Sequence, residues 1–153
     1  MKVLTENYPT EADPALATAI DLPQGLIGFA SYRHAELREL PEHPPFRWMT
    51  LHGPSGLVNF VVVDPAGLVP GYEPELFDAD AASLDLGDPA DAQLLAIVSL
   101  QPQDPLSATV NLIGPIVINR RTRVGRQLVI ANNSRYSARH LLLESESFAA
   151  ANA

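Results

Sequence analysis

Short apolar runs alternate with prolines along the chain, and that punctuation decides the class of structure. Fourteen prolines are spread over the whole length. No long helix survives such a spacing, because each proline removes a backbone donor and clashes with the preceding turn. The apolar runs between them have strand length and β-branched content. Strands are therefore predicted at residues 17–21, 57–63 (LVNFVVV), 94–100 (LLAIVSL), 109–113, 116–119 and 127–131. Residues 56–64 (GLVNFVVVD) are apolar on both parities except at Asn59 and the closing Asp64, which predicts a central strand covered on both sides for part of its length.

Between the strands the turn chemistry is legible. Gly114-Pro115 splits the run 109–119 (TVNLIGPIVIN), as at a barrel corner, since glycine permits the bend and proline cannot join a ladder. Residues 121–125 (RTRVG) read as a polar hairpin connection. Gly25 and Gly28 are expected to permit turns ahead of Phe29. Helices are expected to be short and peripheral. Asp78 is placed to cap a turn starting at Ala79, Asp88-Pro89 repeats the arrangement with Asp91 close behind, and residues 31–37 (SYRHAEL) are a third helical-turn candidate. The fold class is mainly β: a small barrel-like antiparallel fold with short peripheral helices.

Size and composition narrow this further. A chain of 153 residues with 46% hydrophobic and 18% charged residues fits one globular domain, expected over residues 1–145, with an alanine-rich tail at 146–153 expected to fray. There is no cysteine, which removes disulfides, thiolate metal sites and cysteine nucleophiles together. The first ten residues do not read as a secretory signal, and apolar runs of about seven residues are too short to span a bilayer as helices. A cytoplasmic location is the expectation, with no membrane partner.

The net charge of −8 is unevenly distributed: residues 1–104 carry 16 acids and 4 bases, residues 105–153 carry 2 acids and 6 bases. The acidic majority disfavours direct nucleic-acid binding, which needs a positive field. It suits a basic protein partner, and it equally serves plain solubility.

Catalytic chemistry finds little support. His34 and His43 are nine residues apart, a spacing no metal motif uses, and His52 sits beside the loop signal of residues 53–56. Ser55 lies in a turn and not in a nucleophile elbow. No glycine pattern cradles a phosphate, and the single lysine is Lys2. Asp64, Glu73, Glu75, Asp78 and Asp80 are close in sequence but lack the order of a calcium loop; capping and solubility account for most of them. A small metal-assisted hydrolase using Asp64, Glu73 or His140 is the remote alternative. No cofactor, no metal site and no catalytic residue is expected.

Eight segments in order carry a resemblance: residues 22–29 (LPQGLIGF), 46–49 (FRWM), 60–65 (FVVVDP), 72–76 (YEPEL), 96–102 (AIVSLQP), 109–119 (TVNLIGPIVIN), 125–130 (GRQLVI) and 136–140 (YSARH). Over nearly its full length the chain resembles the bacterial flagellar assembly factor family, FliW. That resemblance implies a small barrel-like β protein that is no enzyme. It implies a cytoplasmic chaperone that binds the C-terminal region of flagellin and antagonises the carbon storage regulator CsrA, an RNA-binding repressor of flagellin translation. Flagellin and CsrA would exclude one another, so that flagellin export frees the protein to take up CsrA. A binding module that keeps flagellin but not CsrA is the alternative.

Residue roles follow from type and setting. Phe29, Trp48, Phe60, Val62 and Ile97 are read as barrel core. Tyr72, Glu73, Glu75, Tyr136, Arg139 and His140 are the interface candidates, because exposed aromatics and arginine anchor contacts and acids suit an interface rim. Asn111 and Asn119, polar positions in an apolar run, either hold neighbouring backbone or face a partner. The chain departs from the family pattern at Ala30, at Leu141 and in the alanine- and proline-rich stretch 7–17.

Overall fold

A computed structural model describes residues 1–3, 18–66, 68–101 and 107–144. Nine strands form one sheet: β1 (Thr18–Asp21), β2 (His34–Glu39), β3 (Arg47–Gly53), β4 (Gly56–Val63), β5 (Ala92–Gln101), β6 (Ser107–Val110), β7 (Ile116–Asn119), β8 (Gly125–Gln127) and β9 (His140–Glu144). One short helix, α1 (Asp78–Ser83), and 3-10 turns at Pro89–Asp91 and Asn133–Arg135 complete the described elements. All strand pairs are antiparallel, and β1 to β5 pair in chain order. The tail 146–153 and the stretch 7–17 lie outside the described residues.

β5 organises the sheet. One edge takes Val61–Val63 of β4, while the other is shared, with β7 along Ala92–Leu95 and β6 along Val98–Gln101. β6 leads on to β9, and β7 to β8. The β8 side then curls back to β1: Asp21 bridges Val124, and its N–H donates to the Arg123 carbonyl at 2.9 Å. The result is a curled, barrel-like sheet, and the turn 111–115 is the corner that Gly114-Pro115 announced.

Because strand side chains alternate between faces, β5 separates two cores. Leu95 and Ile97 point to an inner cluster with Ile20, Leu22, Leu37, Met49, Leu51, Val62, Ile116 and Ile118. Leu94, Ala96 and Val98 point the other way, to Val63, Val110, Val117, Tyr72, Leu76, Leu84 and Ile130. β4 behaves as its sequence suggests: Val62 and Val63 face opposite cores and both are buried, whereas its start is exposed.

Several expectations need correction. Residues 31–37 do not form a helical turn; His34–Glu39 is β2. Its Ala, Glu, Leu and Arg favour helix in isolation, but burial of Ala35 and Leu37 against β3 wins. β3 and β9 were not predicted as strands: the apolar content of β3 is interrupted by Arg, Thr and His, and β9 offers only three consecutive leucines. Trp48 is not core. Met49 on the neighbouring parity takes the inner position, and Trp48 stands on the outer face, 39% exposed, opposite Arg38 and Val61. Phe29, Phe60 and Ile97 are half-buried at the margin of the inner cluster. Asp78 is the first residue of α1, not its cap, which falls on Phe77 with no side-chain bond. The predicted strand at 109–113 ends at Val110, where Asn111 starts the corner, and in place of the one predicted at 127–131 β8 spans Gly125–Gln127, sharing only Gln127 with it. After β8 the chain runs on along the corner through Leu128 N–H to the Pro115 carbonyl and Ile130 N–H to the Ile113 carbonyl. The second capping expectation holds: Asp88 Oδ1 accepts from Ala90 N–H at 2.9 Å, with Pro89 at the first position.

Candidate protein-binding surface

Residues 71–77 run along the second core as an extended ribbon held on both edges, up to the start of α1 at Asp78. Gly71 has φ +79, a left-handed turn that glycine accepts without strain. On one edge Val3 N–H donates to the Pro74 carbonyl (3.3 Å), Leu76 N–H donates to the Met1 carbonyl (2.8 Å), and Lys2 bridges Glu75. The Met1 ammonium also donates to the Leu76 carbonyl at 2.7 Å. On the other edge Asn132 clamps two residues: its Oδ1 accepts from Glu75 N–H (2.9 Å) and its Nδ2 donates to the Glu73 carbonyl (2.8 Å). Ala131 N–H donates to the Glu75 carbonyl.

The two tyrosines beneath fix the entry to this ribbon. Tyr72 is 2% exposed and donates its hydroxyl to the Leu112 carbonyl at 2.7 Å. Burial pushes its phenol well above the ordinary range, so it stays a neutral donor. Tyr136 packs edge-on against it, with ring centroids 4.8 Å apart. The Tyr136 hydroxyl accepts from Glu73 N–H (2.9 Å) and donates to the Gly71 carbonyl (3.3 Å). Period-two alternation then sorts the ribbon: Pro74 and Leu76 are buried, while Glu73, the half-buried Glu75 and Phe77 form the outward row. Phe77 is 52% exposed, and the Asp78 side chain beside it is fully exposed. Two carboxylates, a benzyl ring and a further carboxylate thus sit on a backbone that is already ordered.

Of the interface candidates, Glu73, Glu75 and Tyr136 border this surface, whereas Tyr72, expected as an exposed aromatic, is buried beneath it because its ring fills the second core. Arg139 and His140 follow on the chain, Arg139 exposed in the turn before β9 and His140 half-buried opposite Val110. The two asparagines hold backbone. Asn111 Oδ1 accepts from the N–H groups of Ile113 and Gly114, both at 3.0 Å, which shapes the corner. Asn119 is fully buried; its Nδ2 donates to the carbonyls of Leu84 (2.8 Å) and Asp85 (3.2 Å), and its Oδ1 accepts from Arg121 and Thr122 N–H. Phe77 was missed as a surface residue, although the alternation through 73, 75 and 77 was there to be read.

The charge asymmetry has a structural counterpart. Arg121 contacts Asp85 (3.3 Å) and Asp91 (3.4 Å), and Arg126 contacts Asp80 (3.5 Å), so basic residues of the second half pair with acids of the first. Hydrogen bonding to Asp85 and then Asp91 raises the Arg121 pKa. Glu73 and Glu75 are left facing outward. Asp64 belongs elsewhere: burial raises its pKa against the pull of Ala66 N–H, Arg120 and Arg47. Asp64, Glu73 and His140 therefore stand in three different settings, and among the described residues no group of three or more His, Asp or Glu is placed to hold a metal ion. Among the described residues, no helix is long and apolar enough to cross a membrane.

Comparison with known proteins decides the lineage. The family model described as FliW protein matches residues 4–142. The chain belongs to the FliW family. The flagellar assembly factor FliW of Moorella thermoacetica is 36% identical over 149 residues, covering 97% of this chain and 91% of that protein. The protein of the same name from Geotalea uraniireducens is 35% identical over 146 residues, covering 95% and 86%. A crystal structure of the flagellar assembly factor FliW superposes with a TM-score of 0.69 at 30% identity, covering 82% of this chain and 85% of that one. The family's fold is thus the curled sheet described above.

Proposed function

We propose that this protein serves flagellum assembly as a cytoplasmic chaperone of flagellin that also takes up the translational regulator CsrA, the two partners excluding each other. The observation that carries this reading is the ordered acidic ribbon at residues 73–78. An RNA-binding regulator is basic, and a row of carboxylates beside an exposed ring offers it complementary charge with an apolar anchor. The ribbon's backbone bonds are made before binding, so little ordering entropy is spent there. Membership of a family whose named members are flagellar assembly factors supports the setting.

The test is a titration of CsrA into the wild-type protein and the Glu73→Lys/Glu75→Lys variant, with binding of the flagellin C-terminal segment measured in parallel. Loss of CsrA binding at least about tenfold, with flagellin binding retained, is expected when opposed charges become like charges. Unchanged CsrA affinity would remove the ribbon from the interface. Absence of CsrA binding in the wild type would leave a flagellin-binding module alone.

A further inference from the structure

The pairing of β4 with β5 covers only Val61–Val63 against Ala96–Val98. Continuing that register would set Phe60 against Ser99 and Asn59 against Leu100, yet no such pairs form. Among the described residues, β4 from Gly56 to Phe60 pairs only with β3, and Ser99 and Leu100 pair only with β6. The sheet therefore splits into two arms, the β3–β4 hairpin on one side and β5–β6–β9 on the other. In an antiparallel pair, successive residues turn their N–H and C=O groups alternately to the two sides. Two of the four residues Leu57–Phe60 thus aim both groups into the split with no ladder partner among the described residues.

The walls are apolar and without charge. On the inner parity stand Val58, Phe60 and Ile97, all half-buried, with Phe60 edge-on to Phe29 at 5.3 Å. On the outer parity Leu57 is 63% exposed and Leu100 48% exposed. Asn59 is occupied across β3 by the Thr50 hydroxyl at 2.7 Å. No acid or base occurs in residues 56–60 or 97–100 of a chain whose net charge is −8. Long exposed strand edges flanked by apolar side chains are ordinarily blunted by charge or proline; this one is not.

We propose that the split between β4 and β5 is a strand-addition site, in which one extended, uncharged segment of a partner polypeptide pairs with the free edge of Leu57–Phe60. Its alternate side chains would rest on Val58, Phe60 and Ile97 inside and on Leu57 and Leu100 outside, the division of labour usual when a strand is added to an open edge. The inference rests on the proposed function for its occupant. The acidic ribbon suits the basic regulator, and the split, which has no charge of its own to pair, suits an uncharged stretch of the flagellin C-terminal region.

The probe is that flagellin segment, used with the full chain. Amide hydrogen exchange is measured with and without it, and affinities are measured for a series of segments N-methylated at successive backbone amides. The expected result is new protection within residues 57–60 and 99–100, with affinity falling at least about tenfold at every second methylated position along a short stretch, because a ladder uses alternate N–H groups. Binding with those amides still unprotected, or with losses lacking the period of two, overturns strand addition while the chaperone reading stands. No binding overturns both. Protection of the same amides in the protein alone, rising with its concentration, would assign the edge to a second copy and also overturn the proposal.

Discussion

Asn119 gives the sharpest stability prediction, because one buried side chain carries four hydrogen bonds joining β7 and its following turn to the residues after α1. Asn119→Ala deletes all four. The bond to the Leu84 carbonyl is buried, and leaving such a group unsatisfied costs about 1–3 kcal/mol. The other three are partly wet; water replaces them at a cost of about 0.5 kcal/mol each. The total is about 3 kcal/mol, roughly a hundredfold rise in the unfolded-to-folded ratio. With a urea slope of about 2 kcal/mol per molar for a domain of this size, the unfolding midpoint falls by about 1.5 M at unchanged slope. Affinity for both partners in the surviving folded protein should be unaltered. A midpoint within about 0.3 M of wild type would refute the assignment of Asn119 as a structural clamp, and a selective loss of partner binding would place it at an interface.

Other perturbations separate framework from surface. Tyr72→Phe should cost about 1–2 kcal/mol in urea unfolding, since the Leu112 carbonyl loses its donor, while CsrA binding by titration stays unchanged. Gly25→Ala should lower stability by at least about 2 kcal/mol, because Gly25 holds φ +64 and an added Cβ would meet the Phe29 carbonyl oxygen and the Ala30 backbone. Asp64 has its folded pKa raised by burial, so folding takes up protons between the unfolded and folded values and stability falls as pH rises through that window. Urea midpoints of wild type minus those of Asp64→Asn should therefore decline from about pH 4 upward; a difference that grows with pH would contradict the burial of Asp64.

The strands with an unbroken β-branched or aliphatic stretch were legible: β4, β5 and β7 each carry their own pattern, and β7 appears at the predicted residues. Turn chemistry at Gly114-Pro115 and Asp88-Pro89 was legible for the same reason, because the restriction is local. What escaped depends on partners distant in sequence. β2 has helical propensities and becomes a strand only beside β1 and β3. Trp48 reads as core by type, but which parity faces inward is set by Met49 and Leu51, which join the inner cluster with Ile116 and Ile118. Likewise the motif 72–76 does not say that Tyr72 is the buried pin of the ribbon while Phe77, just beyond, is displayed. The two asparagines were left between holding backbone and meeting a partner, and only the positions of the corner and of the residues after α1 resolve that choice.

The most direct measurement is isothermal titration of the full-length protein with CsrA, once alone and once after saturation with the flagellin C-terminal segment. The expected result is CsrA binding that disappears, or weakens at least about tenfold, when flagellin is bound, as mutual exclusion requires, with flagellin binding weakened by the same factor when CsrA is bound. Binding of both partners with no change in either affinity would contradict mutual exclusion.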